Sequence, residues 1–393
     1  MRTQPVMKFE ERIAWCKEQL EDPTFPTLRE FKGRNGTRAP IVGNFPVWAP
    51  QEIAHAAGAL PVTIAGGGSS VEIDHADSRV QSFVCSISRS TLELGLRGYL
   101  DPIDAMVFTS ICDVARNLGG VFKRNFPKIQ TFYLHCPQNV SSPAAVDYFA
   151  TELRRFRRAM EDFIGDGITD AAIARSVGVF NEHRTALADL YALRREHPEK
   201  ISATESYLLL RASQLMPREE HTAILRSTFA ELEARPTRRR DKIRVLIEGS
   251  FCEQPPWELI EAIEDAGCYI VDDDFLLGPR WYDTPVKLGE DPIRSMAEAY
   301  VKYSVTSSIR HYGDRPRADH FAHKLKENRV DGVIFCAAKF CEPALYDYVL
   351  LKDVADQAGI PHLSFEFEEK MGVFETLRTQ VETFVESILL FAD

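Results

Sequence analysis

One rhythm runs through two stretches of this chain: a short apolar run, a turn, then a helical pattern. In the first stretch APIVGNF, LPVTIAGGG, AMVFTS and IQTFYLHCP read as strands, and PQEIAHAAGA, SRSTLELGLRG and DVARNLGGVFKR read as helices, the first with Pro50 at its opening position. In the second, the strands IRVLIEGS, CYIVDDDF, VDGVIFCA and IPHLSFEF alternate with PPWELIEAIEDAG, MAEAYVKYSV, RADHFAHKLKEN and PALYDYVLLKDVADQAG; TLRTQVETFVESILLF closes the chain. Such alternation predicts parallel sheets with helices on both faces. Between the two stretches the pattern is long and helical, and RPTRRRDK follows it as a polar linker. The expected architecture is therefore α/β: two doubly wound, mostly parallel-sheet domains, residues 1–143 and 235–393, with an intervening helical segment, 144–234. In sheets of this kind ligands sit at the carboxyl ends of the strands.

Length and charge narrow the function. A chain of 393 residues holds two or three domains, and 45% hydrophobic with 27% charged residues fits a soluble globular protein with full cores. A net charge of −11 argues against a nucleic-acid binder, which needs a basic face. The first residues carry charges throughout, and no run approaches the roughly 20 apolar residues of a membrane span, so a cytoplasmic protein without a membrane partner is expected. In that reducing compartment the eight cysteines are expected as thiols rather than disulfides.

Three of those cysteines share a local setting. Cys85 in SFVCSISRS, Cys112 in MVFTSICDVARN and Cys341 in GVIFCAAKFCEP each close a strand-like run at or just before a helix. The helix dipole and its free N–H groups stabilise a thiolate there. Three such thiolates brought together would hold an iron–sulfur cluster and leave one iron open for chemistry. The plainer alternative is buried structural thiols. Cys252 in IEGSFCEQPPW and Cys336 share much of the setting and compete as ligands, whereas Cys16, Cys136 and Cys268 read as packing residues. No CxxC pair exists, so the commonest local cluster signature is absent.

Other features are weaker. The loop Gly66-Gly67-Gly68-Ser69-Ser70 follows a strand but lacks the nucleotide-binding spacings and reads as a plain loop. Asp272, Asp273 and Asp274 could hold a metal or pair with Arg280, pairing being the simpler reading. Arg238-Arg239-Arg240 reads as solvated linker. No Walker, HExxH or GxSxG pattern is present. Glu52 begins the helix after the first strand, where it could donate a proton or orient a substrate, or merely face the helix dipole.

Six segments together resemble one family: GNFPVWAPQEIAHAAGALPV (43–62), FVCSISRS (83–90), SICDVARN (110–117), IEGSFCEQPPWELIEAIEDAG (247–267), VDDDFLLGPR (271–280) and VDGVIFCAAKFCEPALYDY (330–348). It is the 2-hydroxyacyl-coenzyme A dehydratase and benzoyl-coenzyme A reductase family. The wording FCAAKFCEPALYDYVL is most similar to the smaller, gamma or C, cluster-bearing subunit of its ATP-dependent reductase branch. The resemblance implies a [4Fe–4S] cluster held by Cys85, Cys112 and Cys341, and so demotes Cys252 and Cys336. It also implies a homologous cluster-bearing partner subunit, ATP-hydrolysing electron-activator subunits, a ferredoxin-type donor upstream and an acyl-coenzyme A substrate. The implied reaction is two-electron reduction of the aromatic ring of benzoyl-coenzyme A to a cyclohexadiene. A dehydratase component and a structural or electron-relay subunit are the alternatives.

Overall fold

The computed structural model describes residues 7–33, 39–45, 47–249, 252–275, 284–307, 309–313 and 316–391. Both expected sheets form. The first holds β1 (Ile41–Phe45), β2 (Leu60–Thr63), β3 (Ala105–Thr109) and β4 (Gln130–Leu134), in the order β2-β1-β3-β4. The second holds β5 (Ile243–Glu248), β6 (Cys268–Asp273), β7 (Gly332–Ala338) and β8 (His362–Phe367), in the order β6-β5-β7-β8. All six strand pairings are parallel. The two sheets thus repeat one topology. Its switch point, where a doubly wound sheet opens a ligand crevice, lies at the carboxyl ends of the first and third strands of each: β1 and β3, then β5 and β7. Strands β1, β3 and β7 are buried along their whole length, as expected of parallel strands covered on both faces. The edge strands β4 and β8 mix exposed and buried positions.

The helices follow in chain order. α1 (Phe9–Glu21) and α2 (Pro26–Gly33) precede the first sheet; α3 (Gln51–Ala56), α4 (Ser86–Leu96) and α5 (Asp113–Asn125) lie between its strands. α6 (Ala145–Ile164), α7 (Asp170–Glu196), α8 (Ala203–Ala212) and α9 (Arg218–Ala234) fill the middle. α10 (Trp257–Asp265), α12 (Pro316–Glu327), α13 (Glu342–Ala358) and α14 (Glu375–Phe391) serve the second sheet, whereas α11 (Pro292–Glu298) returns to pack on α6 and α7. One apolar cluster runs without a break from the first sheet through α6 and α7 to the second. No helix among the described residues is long and apolar enough to cross a membrane.

Buried charge ties α7 and α12 to the second sheet. Asp273 at the end of β6 is fully buried and pairs with Arg194 of α7, while the Tyr191 hydroxyl donates to it at 2.7 Å. Asp272 accepts from Asn328 at 2.8 Å and faces Arg195. Glu248 at the end of β5 is held by Arg317 and Lys324 of α12, each at 2.9 Å. The acidic strand end is thus paired within the fold, but by arginines of α7 and α12; Arg280, the partner expected from the sequence, lies outside the described residues.

Local details depart from the sequence reading. SFVC is a turn, not a strand, with Phe83 66% exposed: the segment has no neighbouring strand and so no ladder to join. Pro50 caps α3 rather than opening it. Strand β7 runs two residues beyond Cys336. MAEAYVKYSV is split, because α11 gives way to a π turn over Ala299–Tyr303.

Candidate functional site

Cys85, Cys112 and Cys341 are the N-cap residues of α4, α5 and α13. The Cys112 sulfur accepts from the Ala115 N–H at 3.4 Å, and the Cys85 sulfur lies 3.3 Å from the Ser88 hydroxyl. An N-cap side chain faces the unpaired N–H groups of the first turn, which favour negative charge there. Cys112 follows β3 and Cys341 follows β7, so these two occupy matching places in the two sheets, each beyond the third strand. Each thiol lies within electrostatic reach of the other two.

Burial dominates their chemistry. It pushes the Cys85 thiol up to about 12, with the Glu253 carboxylate adding to the rise and the Ser88 hydroxyl opposing it. Cys341 is raised by burial, against the Ala344 N–H, and further by the other two thiols. Cys112 is raised by burial, against the N–H groups of Ala115 and Val114. A metal inverts this preference, because a coordinating thiol gives up its proton outright. Among the described residues no three His, Cys, Asp or Glu side chains are grouped to hold a metal ion. In a cluster each thiolate binds its own iron, so cluster ligands stand further apart than the ligands of one ion. Three thiols of one type, at three helix N-termini and within mutual electrostatic reach, are a donor set that fits such a cluster.

Residues 46–388 match the model of the 2-hydroxyglutaryl-CoA dehydratase, D-component family. The chain belongs to this family. A benzoyl-CoA reductase subunit from Thauera aromatica is 39% identical to it over 97% of this chain and 98% of that protein. The (R)-phenyllactyl-CoA dehydratase beta subunit of Clostridium sporogenes is 28% identical over 95% and 97%. The (R)-2-hydroxyglutaryl-CoA dehydratase beta subunit of Acidaminococcus fermentans is 27% identical over 92% and 95%.

In this member of the dehydratase family one further acid, Glu253, lies within electrostatic reach of Cys85 and Cys341, and a second, Glu369, lies beside Glu253. Glu253, 1% exposed, binds Ser86 and accepts from the Ile87 N–H at 3.1 Å, at the first turn of α4. Glu369 donates its own N–H to the Ser86 hydroxyl at 3.2 Å. Burial, then the charge of Glu369, pushes Glu253 up to about 8; burial pushes Glu369 up to about 7. The glycine loop is turned to the same group. Gly66 and Gly67 donate to Thr91 and Ser90 of α4, and Gly68 donates to Glu369 at 3.3 Å. Gly66 has a φ of +83°, and a Cβ there would strike the Glu369 carboxylate. The loop therefore cradles a carboxylate of its own chain.

The remaining candidates lie as follows. Glu52 is fully buried, paired with Arg184, and its Oε2 has no hydrogen-bond partner among the described residues. Cys336 lies inside β7, and the charge that acts on it is Asp274. Cys252 is buried beside Glu253. Arg238, Arg239 and Arg240 are exposed. None of the eight cysteines forms a disulfide. Glu253 and Glu369 were missed by the sequence reading. Glu253 stands next to Cys252 in IEGSFCEQPPW, while Glu369 looks like part of a solvated acidic run.

Proposed function

We propose that this chain is the iron–sulfur subunit of an ATP-dependent benzoyl-coenzyme A reductase, acting in reduction of the aromatic ring to a cyclohexadiene. The observation that carries the reading is the meeting of Cys85, Cys112 and Cys341 at three helix N-termini; the likeness to a benzoyl-CoA reductase subunit supports it. These three sulfurs would hold a [4Fe–4S] cluster, which when bound supplies electrons at low potential.

The chain's own groups do the rest. Helix N–H groups at Cys112 and Cys341 stabilise the thiolates. Burial of Cys341 keeps water from the sulfur. Ring reduction consumes two protons with its two electrons. Glu253 and Glu369 hold a proton near neutral pH, because burial and mutual repulsion oppose a second charge. A pocket of about 50 Å³, lined by Tyr207, Arg211, Gln254, Trp257 and Glu369, has room for a water molecule that would bring protons to the Glu369 carboxylate. Glu52, ion-paired with Arg184, keeps its proposed role of orienting the substrate or passing it a proton, through an Oε2 that has no partner among the described residues.

The reading requires a homologous cluster-bearing subunit, an ATP-hydrolysing activator, a ferredoxin-type donor and an acyl-coenzyme A. Relatives named as dehydratase subunits favour one second reading, a component of a 2-hydroxyacyl-CoA dehydratase. The reconstituted complex, given ATP, a strong reductant and either benzoyl-coenzyme A or a 2-hydroxyacyl-coenzyme A, decides between them. Diene from the first substrate is expected; enoyl product from the second alone would move the chain to the dehydratases. Glu52→Gln in the same assay should lower turnover at unchanged iron content, and an unchanged rate would remove Glu52 from the chemistry.

A further inference from the structure

The switch point of the first sheet is roofed by a buried arginine that has no counter-charge among the described residues. Arg310 is 4% exposed. Its guanidinium carbon lies 4.0 Å from the centre of the Trp48 ring and 4.1 Å from that of Tyr300, in the corner made by the two rings, which stand perpendicular with centres 5.7 Å apart. Nη1 is used: it donates to the Tyr300 carbonyl at 3.2 Å and to the Ser304 hydroxyl. Nε and Nη2 have no hydrogen-bond partner among the described residues, and no described carboxylate pairs with this arginine. The hydroxyls of Thr306, Ser307 and Tyr312, on the same segment, are also buried without partners among those residues.

The place is built, not incidental. Residues 304–307 and 309–312 follow the π turn over Ala299–Tyr303, and such turns recur at functional sites. The segment is pinned to the loop beyond β4, where the His311 N–H donates to the Gln138 carbonyl at 2.7 Å and His311 accepts from Val140 at 3.2 Å. Trp48 stands beyond β1 with a φ of +57°. The Thr109 hydroxyl at the end of β3 bonds the Val47 carbonyl at 2.9 Å, joining the two strand ends that flank the crevice. A left-handed, non-glycine backbone costs about 1–3 kcal/mol and persists only where its surroundings hold it.

A guanidinium cannot shed its charge, and a buried unpaired cation is costly. The Nε and Nη2 donors lie side by side on one edge, a fork that matches two oxygens of an oxyanion. Three additional hydroxyls exceed what a carboxylate needs and suit a tetrahedral group. We propose that Arg310 anchors a phosphate site at the β1–β3 switch point, filled by free phosphate or by a phosphate of coenzyme A. The site stands on the arginine's geometry and does not depend on the cluster.

Calorimetric titration of the purified full chain with inorganic phosphate, and separately with coenzyme A, tests this. The wild type should bind at least one; a response to coenzyme A alone identifies the coenzyme as the source, and a response to phosphate identifies the free ion. Arg310→Gln should weaken that binding about 10-fold or more, and Arg310→Lys, which keeps charge but loses the fork, should not restore it fully. If Arg310→Gln does not fold, Ser307→Ala combined with Thr306→Val is expected to weaken binding about 3-fold. Absence of binding to both anions in the wild type, or equal affinity in wild type and variant, would overturn the site.

Discussion

At the scale of single residues, burial decides the chemistry of this protein. Glu253 and Glu369 are separated by 116 positions (369 − 253), yet both bind Ser86, the first residue of α4. Their raised values have a consequence for the metal-free chain. The folded state keeps a proton on Glu253 up to about 8, whereas an ordinary carboxyl loses it near 4.5. Between those values the native state binds more protons than the unfolded state. Stability is then fully present below about 4.5 and falls as pH rises through the window to about 8. Thermal melts of the metal-free protein across this range should show a steeper decline for wild type than for Glu253→Gln; parallel slopes would contradict the shared proton. These acids were not legible in the sequence because their burial depends on contacts across 167 and 283 positions. The helix-start placement of the three cysteines was legible, because an N-cap position is a local property that a turn and a following helix already define.

Among the elements, the strands were the most readable. Inner strands such as β3 and β7 are continuous apolar runs and edge strands such as β8 alternate, so β1 to β8 fall where the pattern places them. The misreadings are also local. SFVC has strand composition but no partner strand, and the π turn after α11 has no sequence signature of its own. The acidic end of β6 shows how tertiary contacts complete an element. Asp273 is fully buried against Arg194 of α7, and removing one member leaves a charge without compensation. Asp273→Ala should cost about 3–5 kcal/mol in urea unfolding. Asp77→Ala, which breaks a surface pair with Arg89, should cost about 0–1 kcal/mol. Equal costs would mean that the α7–β6 contact contributes no more than an ion pair at the surface.

The molecule joins two sheets of identical strand order through one shared apolar cluster, with smaller clusters beside it. That duplication explains why Cys112 and Cys341 hold equivalent positions, and why Cys85, placed by a turn before α4, is the one without a counterpart. Around two of the cysteines the surface is apolar. Phe83 stands two residues before Cys85, and Phe340 stands beside Cys341 with a left-handed φ of +64°. Along α13, Tyr346 and Val349 are 73% and 62% exposed. Exposed large apolar side chains of this kind suit a contact surface, and the proposed partner subunit would cover them. Tyr346→Glu with Val349→Glu should weaken assembly about 10-fold in sedimentation experiments at unchanged fold; undiminished association would place the interface elsewhere.

The central claim is that Cys85, Cys112 and Cys341 together hold one cluster. Iron and sulfide analysis after anaerobic purification tests it most directly, on the wild type and on four serine variants. Close to four iron and four sulfide per wild-type chain are expected. Loss of stoichiometric iron is expected in Cys85→Ser, Cys112→Ser and Cys341→Ser, and full iron in Cys16→Ser, whose thiol is packed in a separate core. A wild-type chain without iron, or a Cys341→Ser chain that keeps all of it, would contradict the account.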